Sequence, residues 1–502
     1  MKQRQMKLNV KLIEISTGDT LVGLINHNDA EHFDLHPMDR IKVKKGSKVE
    51  TIFVDIAKNK IVEPGKIGLY KEVSDSLKVK NNDSIEIIPT KKPLSLASIK
   101  KKLDGEKLSK EEIEQIVWDI VHNKLSHVEL TYFVSACYTH KLSLQETVML
   151  TKAMASEGET LKLRDKIVMD KHCVGGVAGN RTTMIVVPII AAAGLKIPKT
   201  SSRSITSPAG TADTMEILSN VDVPLNKMKS ILQKTNGCII WGGSLNLAPA
   251  DDKIIKVEKP LSIDAKSQLL ASVMSKKLSV SATHLLIDIP WGKGSKIENK
   301  KHALTLKKNF EQVAKRVGIK AIVVLTDGKA PIGNGIGPLL EARDVLWVLE
   351  DDKRKPRDLY LKSIKLAGIM LELSGKAKKD TGFALAKEIV DSGLAYKKMV
   401  EIIRAQGKKI IDSGRMRVAP LSKHVYASKS GKVTLIHNDS ISKIARTAGA
   451  PKNSSAGIYF HVNTNDEIKK GTLLYTIYAE SSFKLDYAFA IAKELGFGVG
   501  IR

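Results

Sequence analysis

The sequence predicts an α/β multidomain protein. It has a small N-terminal β domain, a helical domain, a large α/β domain with a mixed sheet, and a C-terminal α+β part. Three observations predict this. The 502 residues are more than one ordinary core fills. The apolar pattern changes period along the chain, from strand-like alternation to helical spacing to short buried runs. Helix-start boxes and glycine-rich turns punctuate those changes.

The elements follow in order. Short strands are expected over Lys7–Ile15, Thr20–Ile25, Arg40–Val43, Ile67–Leu69 and Ser84–Ile88. Turns at Gly18-Asp19, His27-Asn28-Asp29 and Asn81-Asn82-Asp83 separate them, so residues 1–88 read as a β domain with a linker at Pro89 to Pro93. Ser109-x-x-Glu112, Ser126-x-x-Glu129 and Ser143-x-x-Glu146 are capping boxes, in which serine and glutamate satisfy the free amides of a helix start. Ile113, Ile116, Val117, Ile120 and Val121 then fall on one helical face. These place a helical domain at 95–160, completed by about 244–282. From Lys166 short apolar strands alternate with glycine-rich turns and helices, giving an α/β domain over 166–243 and 284–415. Ala321–Leu325, ending at Thr326-Asp327-Gly328, suits a buried parallel strand, and His284–Ile289 is a second candidate. Residues 416–502 return to short strands, with one helix near Leu485 to Glu494.

Composition narrows the class. With 42% hydrophobic residues the chain can pack globular cores, and no apolar run approaches the roughly 18 residues of a membrane span. No signal-peptide core is present, so a cytoplasmic protein without a membrane partner is expected. The cysteines Cys137, Cys173 and Cys238 are far apart and form neither a disulfide framework nor a metal knuckle. The net charge of +27 could steer nucleic acid or small anions. The basic residues are spread along the chain, however, and the 5% of aromatics are not interleaved with them as stacking platforms would be. A nucleic-acid partner is therefore not expected.

The chemistry concentrates in two segments. Asp170-Lys171-His172-Cys173-Val174-Gly175-Gly176-Val177-Ala178-Gly179-Asn180-Arg181-Thr182-Thr183 follows a strand at Ile167–Met169 and leads into an apolar helix ending at Gly194. Glycines let backbone approach an anion, a helix start offers free amides, and Lys171 adds a full charge. The pattern is neither a P-loop nor a dinucleotide fingerprint, and alone it could be a tight strand–helix turn. Lys199 to Thr214 reads K-T-S-S-R-S-I-T-S-P-A-G-T-A-D-T, whose hydroxyls, guanidinium and helix-start amides suit phosphate oxygens. Open α/β sheets bind ligands at the carboxyl ends of successive strands, which favours a paired anion site over a polar surface loop.

These segments, with Leu247-Ala248-Pro249-Ala250-Asp251-Asp252-Lys253 and Ser272-Val273-Met274-Ser275-Lys276-Lys277-Leu278, occur in an order that resembles the thymidine and pyrimidine-nucleoside phosphorylases. The resemblance runs from about residue 95 to the C-terminus, where Ala448-Gly449-Ala450-Pro451 and Leu474 to Ala479 look like that family's last domain. It implies phosphate contacts from Lys171, Thr183, Ser201 and Thr211, and from Cys173 where the family usually has serine. It makes His172 a candidate to assist base departure, and Ser272 and Lys276 contacts to the base. A neutral-range imidazole could donate the proton, or His172 could only shape the pocket.

Departures from that pattern point to the AMP phosphorylase branch of the same family. Val257-Glu258 stands where thymidine phosphorylases carry an arginine–aspartate pair, Ser207 replaces a histidine, and the N-terminal β domain is additional. Gly176, Ser202, Arg203, Ser204, Ile205, Thr206, Ser207, Thr211, Asp264, Ser272 and Lys296 match that branch's AMP-binding positions, and Asp264 its proposed proton donor. The implied reaction is phosphorolysis of nucleoside 5′-monophosphates, with Arg203 and Lys296 supplying charge for the 5′-phosphate beyond what one inorganic phosphate needs. Such a site would leave those charges uncompensated when a nucleoside binds. Inorganic phosphate is then the co-substrate, and no metal or cofactor is required. The alternatives are a thymidine phosphorylase, a magnesium-dependent phosphoribosyltransferase using Asp170 and Asp213, and a basic nucleic-acid-binding protein. Family relatives associate through helices, so a homodimer or larger homo-oligomer is expected.

Overall fold

The computed structural model describes residues 6–18, 20–204, 207–261 and 265–502. The chain divides into two compact units, residues 1–157 with 248–272, and residues 158–247 with 273–502.

In the first unit, β1 (Met6–Ile13), β2 (Val22–Asn26), β3 (Arg40–Lys45), β4 (Lys48–Ala57), β5 (Lys66–Tyr70) and β6 (Ser84–Pro89) close a barrel in the order β1-β5-β2-β4-β3-β6. Leu8 and Val10, Ile41 and Val43, and Ile67 and Leu69 fill it, as the period-two alternation requires. His27-Asn28-Asp29, expected as a turn, instead opens the short helix α1 (His27–Phe33), because the Asn26 side chain accepts from the Asn28 amide. A second short helix, α2 (Lys71–Leu77), and strand β4 also lie outside the expected strands. Asp19 of the expected Gly18-Asp19 turn is outside the described residues.

Four helices follow: α3 (Ser95–Leu103), α4 (Lys110–Val121), α5 (His127–Thr139) and α6 (Leu144–Ser156). All three serine–glutamate capping boxes are formed, at the starts of α4, α5 and α6. Ile113, Ile116, Val117 and Ile120 enter a core that also takes Ala250, Ile254 and Ala271, which is why residues 248–272 return to this unit. The barrel is fastened to the bundle by Arg40. Its Nε donates to the Lys124 carbonyl at 2.8 Å, and its guanidinium pairs with Glu129, the capping glutamate of α5.

The second unit begins with β7 (Met169–Cys173), α7 (Thr182–Ala192), β8 (Ile197–Ser201), α8 (Thr211–Leu218), α9 (Leu225–Thr235) and β9 (Gly237–Trp241). The chain leaves through α10 (Pro249–Glu258) and returns within α11 (Lys266–Ser279) to β10 (His284–Trp291), α12 (Lys300–Arg316) and β11 (Lys320–Asp327). Strands β11-β10-β7 pair in parallel, β8 and β9 do likewise, and a parallel bridge from Val168 to Lys196 joins the two sets. The expected mixed sheet is therefore corrected to a parallel one. Helical connections separate these strands in sequence, as parallel neighbours require. Buried α7 packs in the same core as helices α13 (Pro338–Leu349), α14 (Arg357–Leu373), α15 (Gly382–Asp391) and α16 (Leu394–Ala405).

The two-residue strand β12 (Gly335–Ile336) pairs with the C-terminal part, which comprises β13 (Leu421–Tyr426), β14 (Gly431–Ile436), α17 (Asn438–Ala448), β15 (Gly457–Phe460), β16 (Glu467–Ile468), β17 (Leu473–Ala479), α18 (Ser482–Glu494) and β18 (Val499–Ile501). Its sheets run β12-β15-β17-β13 and β16-β14-β18, both antiparallel. Among the described residues no helix is long and apolar enough to cross a membrane.

Candidate active site

The strand expected at Ile167–Met169 starts at Met169 and runs through Cys173, so Lys171, His172 and Cys173 belong to β7 rather than to the loop. Lys171 is fully buried, and its Nζ donates to the hydroxyls of Thr182 and Thr183 at 3.0 and 3.1 Å, in the first turn of α7. Burial holds its ammonium below the usual lysine range. Cys173 ends the strand and accepts from Asn180 Nδ2 at 3.5 Å, and burial pushes its thiol up. In the loop between them, Gly176 has φ +85°, and a Cβ there would collide with the backbone of Lys296. Only glycine lets those two chains touch.

His172 is half-buried beside Lys171. Burial, followed by the charges of Lys277, Lys199, Lys171 and Lys276, pushes its imidazole well below the usual histidine range. Burial and the neighbouring lysines together disfavour the imidazolium.

Several charged groups surround Lys171, and of these the sequence singled out only Asp170, as a magnesium ligand. Asp170, fully buried, accepts from the Lys171 amide at 2.7 Å and faces Lys277 at 2.7 Å and Lys199 at 3.9 Å. Asp288, also fully buried, accepts from Thr326 Oγ1 at 2.6 Å and pairs with Lys362 at 3.3 Å. Arg181 pairs with buried Glu341 and donates to Thr214 Oγ1 at 3.1 Å and to the Ala209 carbonyl, tying the first loop to the second. Thus Lys171, Lys199 and Lys277, with the less buried Lys362 and Arg181, gather around β7 and β8 together with Asp170, Asp288 and Glu341. Lysines crowded this way lose protons readily, and Lys199 is pushed down to about 7 by burial and by Lys277. An anion would relieve that crowding. Lys199 and Lys277 sit inside the two quoted motifs, but nothing local distinguishes them from their surface neighbours.

The second loop begins at Ser201, the last residue of β8, whose hydroxyl donates to the Ser202 carbonyl at 3.3 Å. Asp213 of α8 organises it by accepting from the amides of Ser204 and Gly210 at 2.7 and 2.8 Å. Ser207 donates to the Ala209 carbonyl at 3.0 Å, and Thr211 opens α8. Arg203, expected to stand uncompensated when no 5′-phosphate is bound, is paired within the chain. Its fork holds Glu216 at 2.5 and 2.9 Å and Asp213 at 3.3 Å. Ile205, Thr206 and Asp264 lie outside the described residues. Ser272, in the first unit, donates to Asp251 at 2.8 Å, and Lys276 is half-buried on α11 in the second.

Residues 165–396 match the glycosyl transferase family a/b domain, 97–158 the helical bundle domain of that family, and 432–495 the pyrimidine nucleoside phosphorylase C-terminal domain. AMP phosphorylase of Pyrococcus furiosus is 44% identical over 491 residues, covering 98% of this chain and 97% of that protein. AMP phosphorylase of Methanocaldococcus jannaschii is 43% identical, covering 97% and 96%. A putative thymidine phosphorylase of Legionella pneumophila is 43% identical, covering 91% and 87%. Anthranilate phosphoribosyltransferase from Thermus thermophilus shares the fold over 62% of this chain and 99% of its own, with a TM-score of 0.53 at 18% identity. Identity sustained over nearly the full length, barrel included, accounts for the motifs and the departures alike: the chain belongs to the AMP phosphorylase branch of the thymidine and pyrimidine-nucleoside phosphorylase family.

Proposed function

We propose that this protein cleaves the N-glycosidic bond of nucleoside 5′-monophosphates with inorganic phosphate, converting AMP to adenine and ribose 1,5-bisphosphate. The observation that carries the reading is buried Lys171, set among the hydroxyls of Thr182 and Thr183 with buried Lys199 and Lys277 close by. Phosphate lodged there, with Cys173, Ser201 and Thr211 at the rim, would lie in a region whose burial strengthens every charge contact. One of its oxygens then bonds to ribose C1′ as the C1′–N bond breaks. The electron pair leaves with the base, which takes up a proton. Alignment and an acid suffice for this chemistry, and no cofactor is needed. Asp264 is the proposed donor. His172, whose charged form is disfavoured by burial and by its lysine neighbours, is better suited to shaping the pocket and orienting the leaving base. By resemblance, Ser272 and Lys276 contact the base, while Gly176, residues 202–207 and Lys296 hold the nucleotide.

A thymidine phosphorylase is the second reading, favoured by the Legionella relative. Against it, Val257 packs on the helical core, where that activity would want a guanidinium for the pyrimidine. A phosphoribosyltransferase needs carboxylates for magnesium, yet Asp170 is engaged by lysines and Asp213 by loop amides and Arg203. We further propose a cytoplasmic homo-oligomer associating through the helical unit, where α5 exposes Val128 and Tyr132 one turn apart. Base release from AMP, CMP, UMP, adenosine, uridine and thymidine, with and without phosphate, tests the assignment. Phosphate-dependent release from the monophosphates is expected, and thymidine as best substrate would refute it.

A further inference from the structure

We propose that Glu216 is a specificity residue that occupies Arg203 in place of the substrate's 5′-phosphate, and that a nucleoside monophosphate binds by displacing it. The inference rests on the monophosphate reading. Glu216 Oε2 and Oε1 accept from the two terminal nitrogens of Arg203 at 2.5 and 2.9 Å. A guanidinium fork meets a carboxylate and a phosphate with the same pair of donors, so the two anions compete for one face.

The neighbours of this pair are arranged for exchange. Asp213, also on Arg203, has a side chain only 11% exposed and is tied to the Ser204 and Gly210 amides, so it belongs to the loop's framework. Glu216, one turn further along α8, has a side chain 36% exposed, which lets its carboxylate turn out into water. The Arg203 guanidinium lies 5.0 Å from the centroid of the Trp241 ring, a platform that keeps it in place while its partner changes. The ion pair keeps Arg203 charged and holds Glu216 below the usual carboxylate range.

The arrangement solves a problem the reaction creates. A phosphorylase of monophosphates has two anion subsites and one abundant free anion, inorganic phosphate. An unguarded Arg203 would attract that co-substrate and shut out the nucleotide. Glu216 neutralises the arginine in the empty site. The nucleotide, tethered by its base and ribose, presents its phosphate at high effective concentration and outcompetes the glutamate.

The test is steady-state kinetics on Glu216→Gln, which keeps the shape and removes the charge. Half-exposed ion pairs of this kind change affinity by up to about fivefold. The KM for AMP at low phosphate should therefore fall roughly three- to fivefold, and inhibition by inorganic phosphate competitive with AMP should strengthen by a similar factor. Glu216→Ala should move both constants in the same direction, with ribose 5-phosphate as an independent competitive probe. An unchanged or raised KM for AMP, with no added phosphate inhibition, overturns the proposal, because Glu216 would then only brace Arg203. Failure of the underlying reading looks different: the unmodified enzyme would handle AMP and adenosine equally, and Arg203→Ala would alter neither.

Discussion

Replacing Lys171 by methionine removes one charge from the floor of the proposed phosphate site and little else. The lysine is fully buried, and among the described residues its side chain donates to the Thr182 and Thr183 hydroxyls, at 3.0 and 3.1 Å. Methionine keeps most of the stem, so the packing loss is small. Burial already disfavours the ammonium, as its lowered proton affinity records, so the empty protein should lose no more than a few degrees in Tm. Phosphate binding should suffer far more. Removing one partner from a buried charge pair costs about 3–5 kcal/mol, or roughly two to nearly four orders of magnitude in kcat/KM. Lys199, Lys277 and Arg181 remain nearby, which puts the expected loss toward the lower end, about two to three orders. The assay is adenine release from AMP across a phosphate titration, alongside a thermal melt. A variant whose kcat and phosphate KM stay within about twofold of the unmodified enzyme would refute Lys171 as the phosphate's partner.

Arg203→Ala should lower the ratio of AMP to adenosine efficiency about ten- to a hundredfold, the worth of one charge-assisted contact, in matched kinetics on the two substrates. Lys199, at about 7 in the folded protein against 10.5 ordinarily, binds fewer protons folded than unfolded between those values. It therefore makes stability rise with pH above 7, by at most about 1.4 kcal/mol per pH unit. Denaturant melts at pH 7 and 9 should show a larger gain for the unmodified protein than for Lys199→Met. Arg40→Ala should cost about 1–3 kcal/mol of stability, read as a fall in the urea midpoint, because it leaves Glu129 and the Lys124 carbonyl without their shared donor. Light scattering at micromolar concentration should give at least a dimer, and a monomer would end the oligomer proposal.

Much of this was legible along the chain because its causes are local. A serine three residues before a glutamate caps a helix wherever it falls, and all three such boxes do so. Alternation over Leu8 to Ile13 and Arg40 to Val43 reports a barrel wall, since every second residue must face its interior. The ordered motifs place the two anion loops at neighbouring strand ends. The short helices α1 and α2 escaped because seven residues carry too little periodicity to register.

The charge state of the site belongs to the tertiary structure alone. Lys277 lies 107 positions from Asp170, and Lys199 lies 29 from it, yet the fold brings both to one buried carboxylate. That convergence adds to burial in disfavouring a charged His172, and no window of sequence contains it. Arg203 likewise reads as a free cation until α8 turns Glu216 onto it. Hydrogen-bonded turns and apolar periods act between near neighbours, so the sequence itself determined them. A titration state is set by every charge within a few ångströms in low dielectric, and only the folded chain decides which charges those are.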